Sequence, residues 1–115
     1  MNDDRELTEL AAKAAGIKIE WVSTRLDENF IARIRNENPY WFNWPAWNPL
    51  NDDGDALRLA VKLGINLEIG EVGLGDVQAG KRDDWACEWL SADDPCAAVR
   101  RAIVRAAATM AKTTA

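Results

Sequence analysis

Not one of the 115 residues is a histidine, and that absence removes more chemistry than any other. A histidine-based triad, an imidazole general base and most zinc sites are excluded at once. Catalysis would have to rest on carboxylate pairs, lysine or cysteine, and cysteine is scarce too. The chain holds two, Cys87 and Cys96, which in a cytosolic protein read as free thiols rather than a bridge. Basic charge is in deficit: 14 Lys and Arg stand against 19 Asp and Glu, for a net charge of −5. Phosphate backbones demand a basic surface, so general nucleic-acid binding is disfavoured. No apolar run approaches the ~20 residues of a membrane span. The opening Met1-Asn2-Asp3-Asp4 is acidic and lacks the basic-then-apolar pattern of a secretion signal. These absences describe a non-enzymatic, cytoplasmic protein with no cofactor and no membrane partner.

What is present suits one globular domain over residues 1–115, with 48% hydrophobic and 29% charged residues. Leu7, Leu10, Ala11 and Ala14 recur at helical spacing, which predicts a helix from Asp3 to Ala15 stopped by Gly16. The period then falls to two in Ile17–Val22 and again in Phe30–Arg35, a hairpin of two strands. Tyr40–Trp44 reads as a third strand. Asp52–Leu63 is the strongest helix, with Ala56, Leu59, Ala60 and Leu63 on one side, and Ile65–Ile69 follows as a strand. Gly70–Asp84 shows no period and reads as a functional or mobile loop. Trp85–Leu90 is a last strand, with Trp85, Cys87 and Trp89 on one face. Asp93 or Asp94 caps a final helix opened by Pro95, with Arg100, Arg101 and Arg105 towards solvent and Cys96 a buried, inert thiol. The expected class is α+β: a single-layer antiparallel or mixed sheet of four to five strands with three helices packed on it. Leu10, Ile19, Trp21, Leu59, Leu63, Leu67, Val99 and Ile103 are its expected core.

The feature that most invites a functional reading is Pro39-Tyr40-Trp41-Phe42-Asn43-Trp44-Pro45-Ala46-Trp47-Asn48-Pro49, which holds three of the six tryptophans and three of the four prolines. In polyproline II geometry, with about three residues per turn, Trp41, Trp44 and Trp47 would line one edge. Such rings supply interface anchors and stacking platforms. We expect this set to be partly exposed, and Trp21, Trp85 and Trp89 to belong to the core. Trp41, Trp44, Trp47 and Asn48, with Asp52 and Asp53 at the adjoining helix start, form the candidate binding surface. Lys81 and Arg82 join them as groups that could meet an anion.

Two other motifs dissolve on inspection. Asn51-Asp52-Asp53-Gly54-Asp55 lacks calcium-loop spacing and is explained by helix capping. Gly70-Glu71-Val72-Gly73-Leu74-Gly75 matches neither a P-loop nor a dinucleotide fingerprint. No metal site and no catalytic residue is expected.

Three segments together resemble small accessory proteins of tailed bacteriophages, the loose group called phage ABA-sandwich or NinX-like proteins. They are the first helix ending Ala14-Ala15-Gly16, the Trp47-Asn48-Pro49-Leu50 entry to Asp55–Gly64, and the closing helix over Ala97–Ala108. The likeness spans roughly residues 5 to 110. Where that group often has Tyr-Ser-Thr-Asp before the middle helix, this chain has Asn51–Asp55. The resemblance implies an α+β layered fold and an accessory role in the infected bacterial cytoplasm, and it supplies no catalytic residues. Two functions fit. One is host takeover or anti-defence by binding a host protein through the aromatic and acidic surface. The other is sequestration of a small anionic ligand such as a nucleotide signal. A homodimer is left open.

Overall fold

A computed structural model describes residues 3–24, 27–82 and 84–113. The elements run α1 (Asp3–Ala15), β1 (Ile19–Thr24), β2 (Asp27–Ile34), a 3₁₀ turn (Trp41–Asn43), α2 (Asp53–Leu63), β3 (Asn66–Ile69), β4 (Asp76–Lys81), β5 (Asp84–Trp89) and α3 (Pro95–Thr113). The chain is α+β with three helices, as the periodicities predict. The single sheet of four or five strands is not what forms. The strands make two separate antiparallel sheets, a β1–β2 pair and a β3–β4–β5 meander. Each strand pairs only with its neighbour in sequence. The free edge of β2 is taken instead by residues 45–47: Arg33 bridges Ala46, Ile34 N–H donates to Pro45 O at 2.8 Å, and Trp47 N–H donates to Ala32 O at 2.9 Å.

Two sequence expectations fail in the middle of the chain. Tyr40–Trp44 is not a strand. Its amides close on carbonyls three residues back, Asn43 onto Tyr40 at 3.0 Å and Trp44 onto Trp41 at 2.9 Å. The strand-like pairing falls just beyond it. Gly70–Asp84 is not one long loop either, because β4 lies inside it. Ala79 and Gly80 carry little or no side chain, so β4 shows almost none of the alternation by which a strand is recognised. What remains, Gly70–Gly75, is held by its own backbone. Gly70 N–H donates to Asp76 O at 2.9 Å, Gly73 to Leu90 O at 2.8 Å and Gly75 to Glu71 O at 2.7 Å. Those amides are spent on carbonyls and offer no cradle for a phosphate.

Helix ends follow the sequence closely. Asp52 caps α2 by accepting the Asp55 amide at 2.8 Å, and Gly64 ends it with φ 67°, a left-handed conformation that only glycine adopts without strain. Asp94 does the same for α3, accepting Ala97 N–H at 3.1 Å.

α3 packs on α1, α2, β4 and β5. Its buried side is Ala102, Ile103, Val104, Ala106, Ala107, Ala108 and Ala111, facing Ala11, Ala12 and Ala15 of α1 and Ala56, Leu59 and Ala60 of α2. Such small side chains let the helices approach closely, and larger members of the same cluster, Trp47, Leu50 and Leu90 among them, come from outside the helices. Of the expected core, Leu59 and Ile103 are fully buried, and Ile19, Leu63, Leu67 and Val99 pack half-buried against the cluster. Leu10 and Trp21 fall outside it, half-exposed. The β5 register does place Trp85, Cys87 and Trp89 on one face, but that face is the solvent side of the meander. Trp85 is 41% and Trp89 61% exposed. The core side of the same strands is filled by Val77, Ala79 and Ala86 against α3.

The arginines of α3 are not a solvated face. Arg100 donates to Leu50 O at 2.9 Å and to Asp53 Oδ1 at 2.6 Å. Arg101 reaches Asp4 at 2.9 Å, and Arg105 binds Glu88 and the Cys87 carbonyl. Exposed ion pairs contribute about 0–1 kcal/mol each; here they join α3 to α1, to the start of α2 and to β5. Both cysteines are free and exposed, so Cys96 is not the buried thiol its position suggested.

Candidate functional site

The aromatic segment is shaped by asparagine. Asn36 Oδ1 accepts Asn38 N–H at 2.8 Å and Asn38 Oδ1 accepts Tyr40 N–H at 2.9 Å, two successive side-chain-to-backbone turns. The indole of Trp44 then folds back to donate to Asn38 O at 2.8 Å, and Arg33 Nη1 clamps Trp44 O at 2.7 Å. These bonds bury Trp44 beneath its own loop and push the preceding rings outward. Tyr40 and Phe42 stack at 5.4 Å, Trp41 meets Phe42 edge-on at 6.0 Å, and the Arg33 guanidinium lies 5.6 Å from the Trp41 ring. Tyr40 and Phe42 are each 59% exposed and Trp41 37%. A preordered ridge of three consecutive aromatic rings results.

Trp41, Trp44 and Trp47 therefore do not share one exposed edge. The 3₁₀ turn replaces polyproline geometry, and Trp47 is only 4% exposed, part of the main core cluster. One face of Trp47 nonetheless borders a cleft of about 420 Å³ between α1, the β1–β2 hairpin and the turn at Trp47–Asn51. Its walls are Trp21, Phe30 and Trp47, and its polar groups come from Asp4, Arg5, Thr8, Asn48 and Asn51. Arg5 is central, with its guanidinium 4.7 Å from the Trp21 ring and 5.4 Å from that of Phe30. Glu9 orients both partners, accepting the Trp21 indole N–H at 2.8 Å and pairing with Arg5 at 3.5 Å. Asn48 and Asn51 are joined through their amides at 3.0 Å, and the Asn48 N–H is held by Asp55 at 2.9 Å.

The residues singled out in the sequence are thus dispersed. Trp47 and Asn48 reach the cleft, and Trp41 belongs to the ridge. Asp52 caps α2 and Asp53 pairs with Arg100. Lys81 and Arg82 lie at the β4–β5 hairpin and enter neither feature. There the Lys81 ammonium caps Leu63 O at 3.5 Å, while Arg82 adopts φ 59° and its carbonyl accepts the Trp85 indole at 2.7 Å. The set expected from sequence leaves out Tyr40, Phe42, Arg5 and Phe30. The first two were legible as neighbours of Trp41; Arg5 and Phe30 meet only through tertiary packing.

The thiol of Cys87 donates to Asp76 Oδ2 at 2.9 Å. That hydrogen bond, followed by desolvation and the charges of Asp76 and Glu88, holds the thiol above its ordinary pKa, with Arg105 opposing. It is poorly placed as a nucleophile, since the thiolate is the reactive form. Among the described residues no three His, Cys, Asp or Glu side chains are grouped to hold a metal, and no helix is long and apolar enough to cross a membrane. No protein-family model matches the chain, and no curated protein or solved structure matches it.

Proposed function

We propose that this chain is a non-enzymatic bacteriophage accessory protein that binds a host protein, in takeover or anti-defence, through the Tyr40–Trp41–Phe42 ridge. The observation that carries the reading is the ridge itself: three adjacent rings exposed together and held by the Asn36, Asn38 and Arg33 hydrogen bonds. Aromatic residues dominate interface hot spots, and a surface fixed before binding loses little conformational entropy on contact. The phage assignment rests on the sequence resemblance. The test is an infected-cell pull-down followed by affinity measurements on the recovered partner. Phe42→Ala and Tyr40→Ala are expected to weaken binding by about 2 kcal/mol each, roughly 30-fold, with an unchanged melting temperature. A partner that binds both variants as tightly as the native chain would end this reading.

The cleft supports a second reading, sequestration of a small anionic ligand such as a nucleotide. Its volume lies within the roughly 300–1,000 Å³ of small-molecule sites, and it joins an arginine to three aromatic rings. A thermal-shift screen against mono-, di- and cyclic nucleotides decides it. A true ligand at about 100 times its Kd adds ~2.7 kcal/mol to stability, and Arg5→Ala is expected to abolish the shift. No shift with any nucleotide would remove this alternative.

A further inference from the structure

The solvent face of the β3–β4–β5 meander is a second surface with a chemistry of its own. Strand register puts Glu68 of β3, Asp76 and Gln78 of β4, and Trp85, Cys87 and Trp89 of β5 on it. Trp85 lies on the backbone of Gly80, where any Cβ would collide with the Asp84 carbonyl and the indole ring. Its Nε1 is tied to Arg82 O at 2.7 Å, so one ring face is seated and fixed. Trp89 sits at the other end of β5, paired with Asp76. Four residues of strand separate the two indoles, about 13 Å at the usual rise.

Every other half-exposed tryptophan of this protein carries a guanidinium. Arg5 lies over Trp21 at 4.7 Å and Arg33 over Trp41 at 5.6 Å. Among the described residues, no arginine or lysine lies over Trp85 or Trp89. The strand positions of this face include two carboxylates and no Lys or Arg; Lys81 falls on the opposite side by register and reaches Leu63 O. An indole face attracts cations through its quadrupole, and the carboxylates at Glu68 and Asp76 add to that attraction. The same carboxylates repel phosphate, and a net charge of −5 favours encounter with basic partners. We infer that this face docks a basic segment of a partner protein, in extended form, with Arg or Lys side chains four residues apart seated on Trp85 and Trp89. An extended segment with that spacing repeats the ~13 Å between the indoles. The inference does not depend on the ridge.

The probe is a synthetic Gly/Ser peptide with two arginines four residues apart, compared with an isomer whose arginines are adjacent and with a Glu-for-Arg version. Binding to the full chain is followed by calorimetry at low and high salt. The spaced peptide is expected to bind best and to weaken with salt. Trp89→Ala, at a position open enough to spare the fold, should weaken it about two- to fivefold without altering net charge. Glu68→Gln should weaken it as well and serves as the second reading should Trp89→Ala lower the melting temperature. Equal affinity for spaced and adjacent peptides would reduce the effect to bulk charge, and binding indifferent to both variants would place it elsewhere on the chain; either result would overturn the proposal. So would failure to bind, or equal binding of the acidic peptide.

Discussion

Replacing Trp47 with alanine is expected to remove about 3–5 kcal/mol of folding stability, the range for truncating a buried aromatic side chain. Trp47 is 4% exposed and belongs to the cluster that also contains Ala11, Leu50, Leu59 and Ile103. Its backbone N–H closes the last hydrogen bond along the edge of β2, to Ala32 O. The lost side chain would leave a void in the cluster beside Leu50 and Leu59. A denaturant titration with an unchanged slope and a midpoint lowered accordingly is the expected result. A loss below about 1 kcal/mol would show that the ring contributes far less than a buried aromatic normally does. The same variant should also deform the cleft, so any ligand binding there must be compared at temperatures where the protein remains folded.

Leu59→Ala is expected to cost about 2–5 kcal/mol. Leu59 lies on the inner face of α2 at 2% exposure, between Ala56 and Ala60. It is the one large side chain of α2 that is fully buried, since its two buried neighbours on that face are alanines. Exposed Leu57, on the opposite side of the helix, is the natural control, and Leu57→Ala should move stability by no more than about 0.5 kcal/mol. Equal effects at the two positions would show that α2 is rotated from the orientation described above.

The helices and their ends were legible because their signals are local. Gly16, Gly64, Asp52, Asp94 and Pro95 act within a turn of their own position, and each does what its chemistry predicts. The faces of β1 and β5 were legible too, since alternation is fixed by the pleat. Which face was buried was not, because that depends on what lies opposite. The helix faces that meet in the core are mostly alanine, and no rule read from sequence announces that Trp47 enters that core while Trp85 and Trp89 stay on the solvent side of the meander. The aromatic segment shows the same division. Of the three tryptophans expected at the surface only Trp41 is exposed, and Trp44 and Trp47 are buried; the side-chain turns of Asn36 and Asn38 decide which rings emerge. Those turns exchange the expected Trp44 and Trp47 for Tyr40 and Phe42. Ala79 and Gly80 concealed β4 by having nothing to alternate.

The short-range bonding around the ridge bears on the order in which the chain acquires structure. Every hydrogen bond that shapes the ridge and seats it on β2 joins residues at most 15 apart. The Asp4–Arg101 pair, by contrast, spans 97 residues. Loop-closure entropy rises with the logarithm of that separation, and hairpins form in microseconds while remote contacts must await collapse. The hairpin with its aromatic loop is thus able to assemble while α1 and α3 are still apart. In the folded protein, transient opening of the helical layer need not erase the ridge, so recognition and global unfolding can be governed by separate free energies.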